Sequence, residues 1–413
     1  MESIVVTIYY ILFAVAFIYS MYFAITGLFG FKNYHKSMFS KHKPKYKFGI
    51  IIAGRNEEKV IPALIKTLKK QRYPESLYEI FVVPNNCTDN TEKVAREAGA
   101  TIINCTVPVK RKGDALEFTF KKLVNREDLD AFIIFDADNL VHPDFLARMN
   151  DALCEGVQVA QCFRDAKNMG DNWLTGSYTL FYFIQNFFFN RARMNYSGSA
   201  AINGTGFMVR RSVIQKYGFK SRTITEDSEF TGQCALRGIQ VAFVEDAITY
   251  DEHPQSFWAS WKQRKRWTSG CLSCLKIYGG KLLKTFFKTG NISCFDMVMM
   301  YTAPLMMVLG FFLSIILIAF NILGVELFDF FSYLYASGLL FFIVFYLASV
   351  AMNIFVVKYN KKSAKNIFSG IIFFALFLAT WIPINIICIF KKTENWEQIK
   401  HDRSDVDLDQ LVN

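Results

Sequence analysis

Three groups of side chains carry the chemistry open to this chain. Asp136-Ala137-Asp138 directly follows the apolar run Ala131 to Phe135. Alternate residues of an extended segment point the same way, so the two carboxylates share a side and can hold a divalent cation against phosphate oxygens. Thr225-Glu226-Asp227 supplies a second acidic pair, and one carboxylate within reach of a hydroxyl suffices as a general base. Gln263-Arg264-Lys265-Arg266-Trp267 places Gln263, Arg266 and Trp267 at i, i+3 and i+4, on one face of a helix. On that face Arg266 offers a planar fork to diphosphate oxygens, and Trp267 offers a flat apolar surface on which a sugar ring can stack. Each group also has a plainer reading: an acidic turn after a strand, an acidic helix start capped by Thr225, and a basic aromatic interfacial helix.

These groups need a scaffold, and the pattern of short apolar runs alternating with helical periods supplies one. Phe48 to Ala53, Glu79 to Pro84 and Ala131 to Phe135 read as strands, and Glu57 to Lys70 and Thr91 to Ala98 as helices. This β-α-β-α-β order predicts a mostly parallel sheet with helices on both faces. Ligands of such sheets sit outside the carboxyl ends of the strands, where Asn85, Asp89 and Asp136 fall.

Membrane segments flank the scaffold. Residues 4 to 31 carry no charge, longer than the roughly 20 residues a spanning helix needs and too long for a signal-peptide core. Lys32, Lys36, Lys41, Lys43, Lys45 and Lys47 follow this run, which places the N-terminus outside and the following chain in the cytosol. Further apolar segments lie near 298–323, 331–357 and 366–390. Glu326 and Asp329 suit an outer connector, and Lys358, Lys361, Lys362 and Lys365 a cytosolic one. Lys391, Lys392 and Trp396 also look cytosolic, so a bend or re-entrant turn at Pro383 would reconcile the crossings.

The hydrophobic fraction of 52% and the 42 Phe fit lipid contact. The formal charge of +11 comes from Lys clustered beside apolar runs, which argues for membrane-surface anchoring and against nucleic acid. Nine scattered cysteines make a disulfide framework improbable, and Cys271 and Cys274 lack a second ligand pair at zinc spacing. The five histidines show no ligand spacing and receive no role.

Taken in order, with Asp89 closing a polar loop upstream, these pieces resemble the signature of membrane-embedded processive glycosyltransferases of family 2, which include the cellulose, hyaluronan, chitin and poly-N-acetylglucosamine synthases. The resemblance covers the whole chain. It implies an α/β catalytic domain of the GT-A type over 48–256, after a spanning helix over 1–31 and a basic linker over 32–47. Interfacial helices over 257–297, spanning segments over 298–390 and a polar tail over 391–413 would follow.

By that resemblance Asp138 ligates Mg²⁺ or Mn²⁺, Asp136 contacts the nucleotide sugar, and Asp227, with Glu226 beside it, is the catalytic base. Arg266 meets the diphosphate. Gln263, Trp267 and the loop Asn203-Gly204-Thr205-Gly206, through Gly204 and Thr205, face the acceptor. Lys112 and Asp114 of Lys112-Gly113-Asp114 resemble a stretch beside the nucleotide, although a solvated helix start reads the same.

The nucleotide loop departs from the family. Where many members have Asp-Asp-Gly-Ser-Thr-Asp, this chain has Pro84, Asn85, Asn86, Cys87, Thr88 and Asp89. An Asn85 amide can still pair with a uracil edge, and Asp89 reads equally as a turn residue. Residues 172–190, rich in aromatics, suit either an interfacial or a buried helix.

The resulting expectation is a plasma-membrane enzyme with a cytosolic catalytic domain, making and exporting a β-linked polysaccharide, foremost a β-glucan from UDP-glucose. Its partners would be the UDP-sugar, the growing polysaccharide and membrane lipids. The rivals are a hyaluronan or poly-N-acetylglucosamine synthase, a single-addition lipid glycosyltransferase of the ceramide-glucosyltransferase kind, and an inactive scaffold.

Overall fold

The computed structural model describes residues 2–32, 37–325 and 338–391, together with Leu408 and Leu411. The connector expected around Glu326 and Asp329 and the tail with Lys392 and Trp396 lie outside the described residues.

Eight strands form one sheet: β1 Phe48–Gly54, β2 Tyr78–Pro84, β3 Thr101–Ile102, β4 Ala131–Phe135, β5 Leu140–Val141, β6 Val159–Ala166, β7 Phe207–Arg210 and β8 Val241–Asp251. Their order is β3-β2-β1-β4-β7-β6-β8-β5. β3, β2, β1 and β4 run parallel, β7 is antiparallel to both neighbours, β6 and β8 are parallel to each other, and β5 closes the edge antiparallel to β8. The sheet is therefore mostly parallel, in an α/β domain.

Strand alternation splits the core into two layers. Ile51, Phe81, Phe132 and Ile134 face the side covered by helix Lys112–Leu123 and by membrane-side elements. Phe48, Ile50, Val82 and Ile133 face helices Ile61–Lys69 and Phe145–Cys154. The first of these helices starts later than the period suggests. The Glu57 and Glu58 amides are taken by Thr91 Oγ1 (2.8 Å) and Asp89 Oδ2 (3.1 Å), which holds the approach as a loop. Pro62 then fits the first helical turn, where a missing N–H costs nothing.

Helices Ile4–Phe31, Ile292–Ile322 and Phe368–Phe390 are long and apolar enough to cross a membrane, and Ile343–Tyr359 is a shorter apolar helix. The last candidate is interrupted at Thr380, between Phe368–Ala379 and Trp381–Phe390, one turn ahead of Pro383. Trp173–Ile184 continues through a π-helical turn, Gln185–Arg191, and most of this aromatic stretch is buried.

The 33-residue helix Phe257–Thr289 links catalytic and membrane elements. Its Arg264, fully buried, donates to Phe377 O (3.2 Å) and Thr380 Oγ1 (2.6 Å) at the split. A cation there meets the carbonyl end of Phe368–Ala379, where the helix dipole favours it. Two of these apolar helices are also clamped together. Asp296 receives Arg193 Nε (3.0 Å) and Nη2 (2.9 Å), Tyr22 OH (2.7 Å) and Tyr196 OH (3.1 Å). These bonds satisfy a carboxylate whose burial would otherwise be costly.

Candidate active site

β4 ends at Phe135, directly before Asp136, and the three chain segments that the sequence singled out converge there. Asp136 N donates to Asn139 Oδ1 (3.1 Å) and Thr205 Oγ1 (3.0 Å), which fixes the turn carrying Asp138. Lys112 Nζ donates to Asp136 Oδ1 (2.5 Å) and Gly204 O (2.6 Å) and lies 3.7 Å from Glu226 Oε1. Burial opposes the charge on Lys112, but Asp136 and Glu226 outweigh it, so its pKa is raised and the ammonium is kept. Gly204 has φ +82°, and a Cβ there would stand 3.2 Å from Asp227 Oδ2. Glycine both makes the turn and leaves room for the carboxylate.

Asn85, Lys112, Asp136, Asp138, Gly204, Glu226, Asp227, Gln263, Arg266 and Trp267 all line one cavity of about 180 Å³. Asn85 Nδ2 is held by Gly54 O (2.9 Å). Arg266 makes no hydrogen bond or ion pair with a described residue, so its fork stays open to a ligand. Trp267 stands among Tyr178, Phe181, Tyr182 and Trp381, with ring centroids 6.0 to 6.4 Å away.

Three residues singled out in the sequence lie off that wall. Asp89 accepts from Thr91 N (3.0 Å), Thr91 Oγ1 (2.6 Å) and Glu58 N, and so joins two helix starts. Asp114 caps its helix by accepting from Lys110 N (3.0 Å) and Arg111 N (2.9 Å). Thr205 is fully buried and acts through Asp136 and Asn139. The plainer reading of Thr225 also fails in one respect. Its hydroxyl caps nothing and instead packs against Gly270.

A second cavity, of about 550 Å³, opens from the first toward the long apolar helices. Arg164, Tyr182, Asn203, Thr225, Asp227 and Trp267 line both. Asp227 is the one carboxylate common to them among the described residues. Burial raises its pKa and pushes Glu226 up to about 7, with Lys112 opposing both shifts.

The sequence reading missed Arg164, Asp251 and His253. Arg164 donates to Asp251 Oδ2 (2.5 Å) and Asn203 O (2.7 Å) and lies 4.1 Å over the Tyr182 ring. Burial pushes Asp251 up to about 6, against the pull of Arg164. An arginine inside the otherwise buried strand β6 was the available signal.

His253 is 4% exposed and sandwiched between Tyr178 (5.4 Å) and Tyr182 (5.5 Å). Burial holds it neutral, its pKa lowered to about 3, and Nε2 has no partner among the described residues. A neutral imidazole with a free nitrogen beside Asp138 suits a divalent cation. Among the described residues, no three His, Cys, Asp or Glu form a ready ligand set. Asp138 and His253 would thus share the ion with ligand oxygens, as is common for Mg²⁺ and Mn²⁺ at phosphates. All nine cysteines are free, Cys271 and Cys274 included.

The profile of the family "Glycosyltransferase like family 2" matches residues 44–270, more than half of the chain and the whole of this site. The chain belongs to that family. The resemblance read from the motifs thus holds at the level of family 2, whose members transfer sugars. A probable glycosyltransferase, YdaM, of Bacillus subtilis is 28% identical over 285 residues, 64% of this chain and 66% of the relative. A beta-monoglucosyldiacylglycerol synthase of Nostoc sp. is 26% identical over 267 residues, 62% of this chain and 56% of the relative. The match thus spans between half and two thirds of these relatives. Among solved structures, the mannosyltransferase PcManGT of Pyrobaculum calidifontis, in complex with GDP-Man and Mn²⁺, superposes with a TM-score of 0.60 at 17% identity, over 86% of this chain and 97% of its own. That likeness shows the family 2 enzyme's GT-A fold.

Proposed function

We propose that this family 2 enzyme transfers a single sugar, glucose from UDP-glucose in the first instance, to the hydroxyl of a membrane lipid. The observation that carries the reading is the second cavity. It begins at Asp227 and continues between membrane helices, walled by Met300, Ala303, Met306, Met307 and Leu378. Acyl chains match such a mostly apolar wall, which offers few partners for the hydroxyls of a sugar chain along its length. Similarity to glucosyldiacylglycerol synthases supports the same choice. The β-glucan synthase suggested by the motifs is the weaker reading, because its transport path would be mostly hydrocarbon.

In this mechanism the nucleotide sugar lies along Asn85, Asp136 and Arg266, and the lipid hydroxyl enters beside Asp227. Asp227 accepts the hydroxyl proton as the oxygen attacks the anomeric carbon from the face opposite the diphosphate. The C–O bond to the diphosphate breaks, its electron pair leaves with the nucleoside diphosphate, and Arg266 pairs with the growing charge. A divalent cation, held by Asp138 and His253, would supply further charge neutralisation on the diphosphate. The lysine distribution supports a cytosolic placement of this site at its membrane.

The test is incubation of the purified protein in lipid nanodiscs with labelled UDP-glucose, then solvent partition and glucanase digestion. Label in a chloroform-soluble monoglycoside supports the proposal, and label in an insoluble, glucanase-sensitive polymer overturns it.

A further inference from the structure

We propose that the acceptor headgroup is uncharged and hydroxylated, and that Gln185 and Asn203 recognise it. This rests on the lipid reading above and narrows it. Among the described residues lining the acceptor cavity, Arg164 is the sole cation, and it is already engaged by Asp251, the Asn203 carbonyl and the Tyr182 ring. The sole anion is Asp227. Arg266 lines only the donor cavity and is taken there by the diphosphate, so within the acceptor cavity a phosphate-bearing acceptor would meet no free cation and would face a carboxylate, an unfavourable desolvated arrangement. A phosphate monoester is already mostly ionised at neutral pH and needs no base to attack, whereas Asp227 is placed to accept the proton that a hydroxyl must lose.

Two amides at the junction of the cavities supply the complementary half. Gln185 Nε2 donates to Asn203 Oδ1 at 3.2 Å. Gln185 Oε1 and Asn203 Nδ2 are buried without a hydrogen-bond partner among the described residues. Turning both amides over exchanges the roles but still leaves one donor and one acceptor. Buried polar atoms are normally satisfied, so this pair is built for a ligand that both gives and takes a hydrogen bond, as a hydroxyl does. Asn203 is tied to the catalytic cluster, since its carbonyl holds Arg164 and the next residue, Gly204, holds Lys112. A headgroup seated on the amides therefore lies beside Asp227, with its acyl chains directed toward Met300 and Met307.

The test gives the full-length protein in nanodiscs labelled UDP-glucose with either a 1,2-diacylglycerol or a polyprenyl phosphate. Lipid-soluble glycoside is expected from the diacylglycerol and none from the polyprenyl phosphate. Gln185→Met, matched in length, should raise the acceptor KM roughly 3- to 10-fold, as for one lost neutral hydrogen bond, with a smaller change in kcat. Gln185→Glu, which keeps an acceptor oxygen but loses the donor to Asn203, should also raise the acceptor KM relative to wild type, and this second variant keeps the test if Gln185→Met folds poorly. Transfer to the polyprenyl phosphate overturns the headgroup inference and leaves the lipid reading intact. Product found only as polymer overturns the lipid reading itself. An acceptor KM unchanged in both variants removes the two amides from recognition.

Discussion

Replacing Gly270 with alanine should cost this enzyme far more in activity than in stability. A Cβ at Gly270 would stand 2.1 Å from Thr225 Oγ1, 2.4 Å from its Cγ2 and 2.7 Å from its Cβ. Rotating the threonine gives no relief, because its own Cβ is already too close. Carbon atoms settle at about 3.5–4.0 Å, so the two segments must part by roughly 1 Å. Overpacking of this kind costs about 1–3 kcal/mol, and removing a mid-helix glycine returns about 1 kcal/mol, so the net loss is about 0–2 kcal/mol. The catalytic consequence is larger. The displaced segment is Thr225-Glu226-Asp227, and a base misplaced by about 1 Å costs on the order of 10²-fold in turnover.

Gly280→Ala is the control, being in the same helix with nothing within 4 Å of the added Cβ. It should stabilise by up to about 1 kcal/mol with unchanged turnover. Thermal unfolding and initial rates measured in the same detergent decide the matter. Near-normal turnover of Gly270→Ala would refute the reasoning, and a collapse in Tm parallel to the loss of activity would show that the contact is structural only.

Asp227→Asn should lower turnover on the order of 10²-fold or more while donor affinity is kept, as read by calorimetric UDP binding and single-turnover transfer. Because burial raises the Asp227 pKa, the wild-type rate should climb with pH through a value above the usual 3.8 of an aspartate, and the Asn variant should lack that limb. His253→Ala should weaken Mn²⁺ binding roughly 10- to 100-fold, visible in a paramagnetic titration with UDP present, and unaltered Mn²⁺ affinity would exclude it as a ligand. Arg264→Met should lower stability by roughly 1.5–3 kcal/mol through the lost bonds to Phe377 and Thr380, checked by thermal unfolding in nanodiscs.

Periodicity and spacing alone determined the strands β1, β2 and β4, the long apolar helix at the N-terminus, the shared face of Gln263, Arg266 and Trp267, and the two acidic motifs. Those features are local: strand alternation, helical period and an uncharged run write themselves into consecutive residues. The two-residue strand β3 was too short to show a period, and β5 to β8 escaped notice because their pairing is mixed and their residues follow no single period. Arg164 and His253 were equally hidden, since a buried ionisable group gains its role from partners distant in sequence, such as Asp251 and Tyr182. Conversely, Asp89 and Asp114 matched a motif by type, yet local backbone amides satisfy them before any ligand can. The acceptor cavity was the least accessible to sequence. Its wall joins Ala16 and Tyr19 of the first helix to Met307 and Trp381 of later ones, and only the packing of helices hundreds of residues apart decides whether the space beside Asp227 is lined with hydrocarbon or with polar groups.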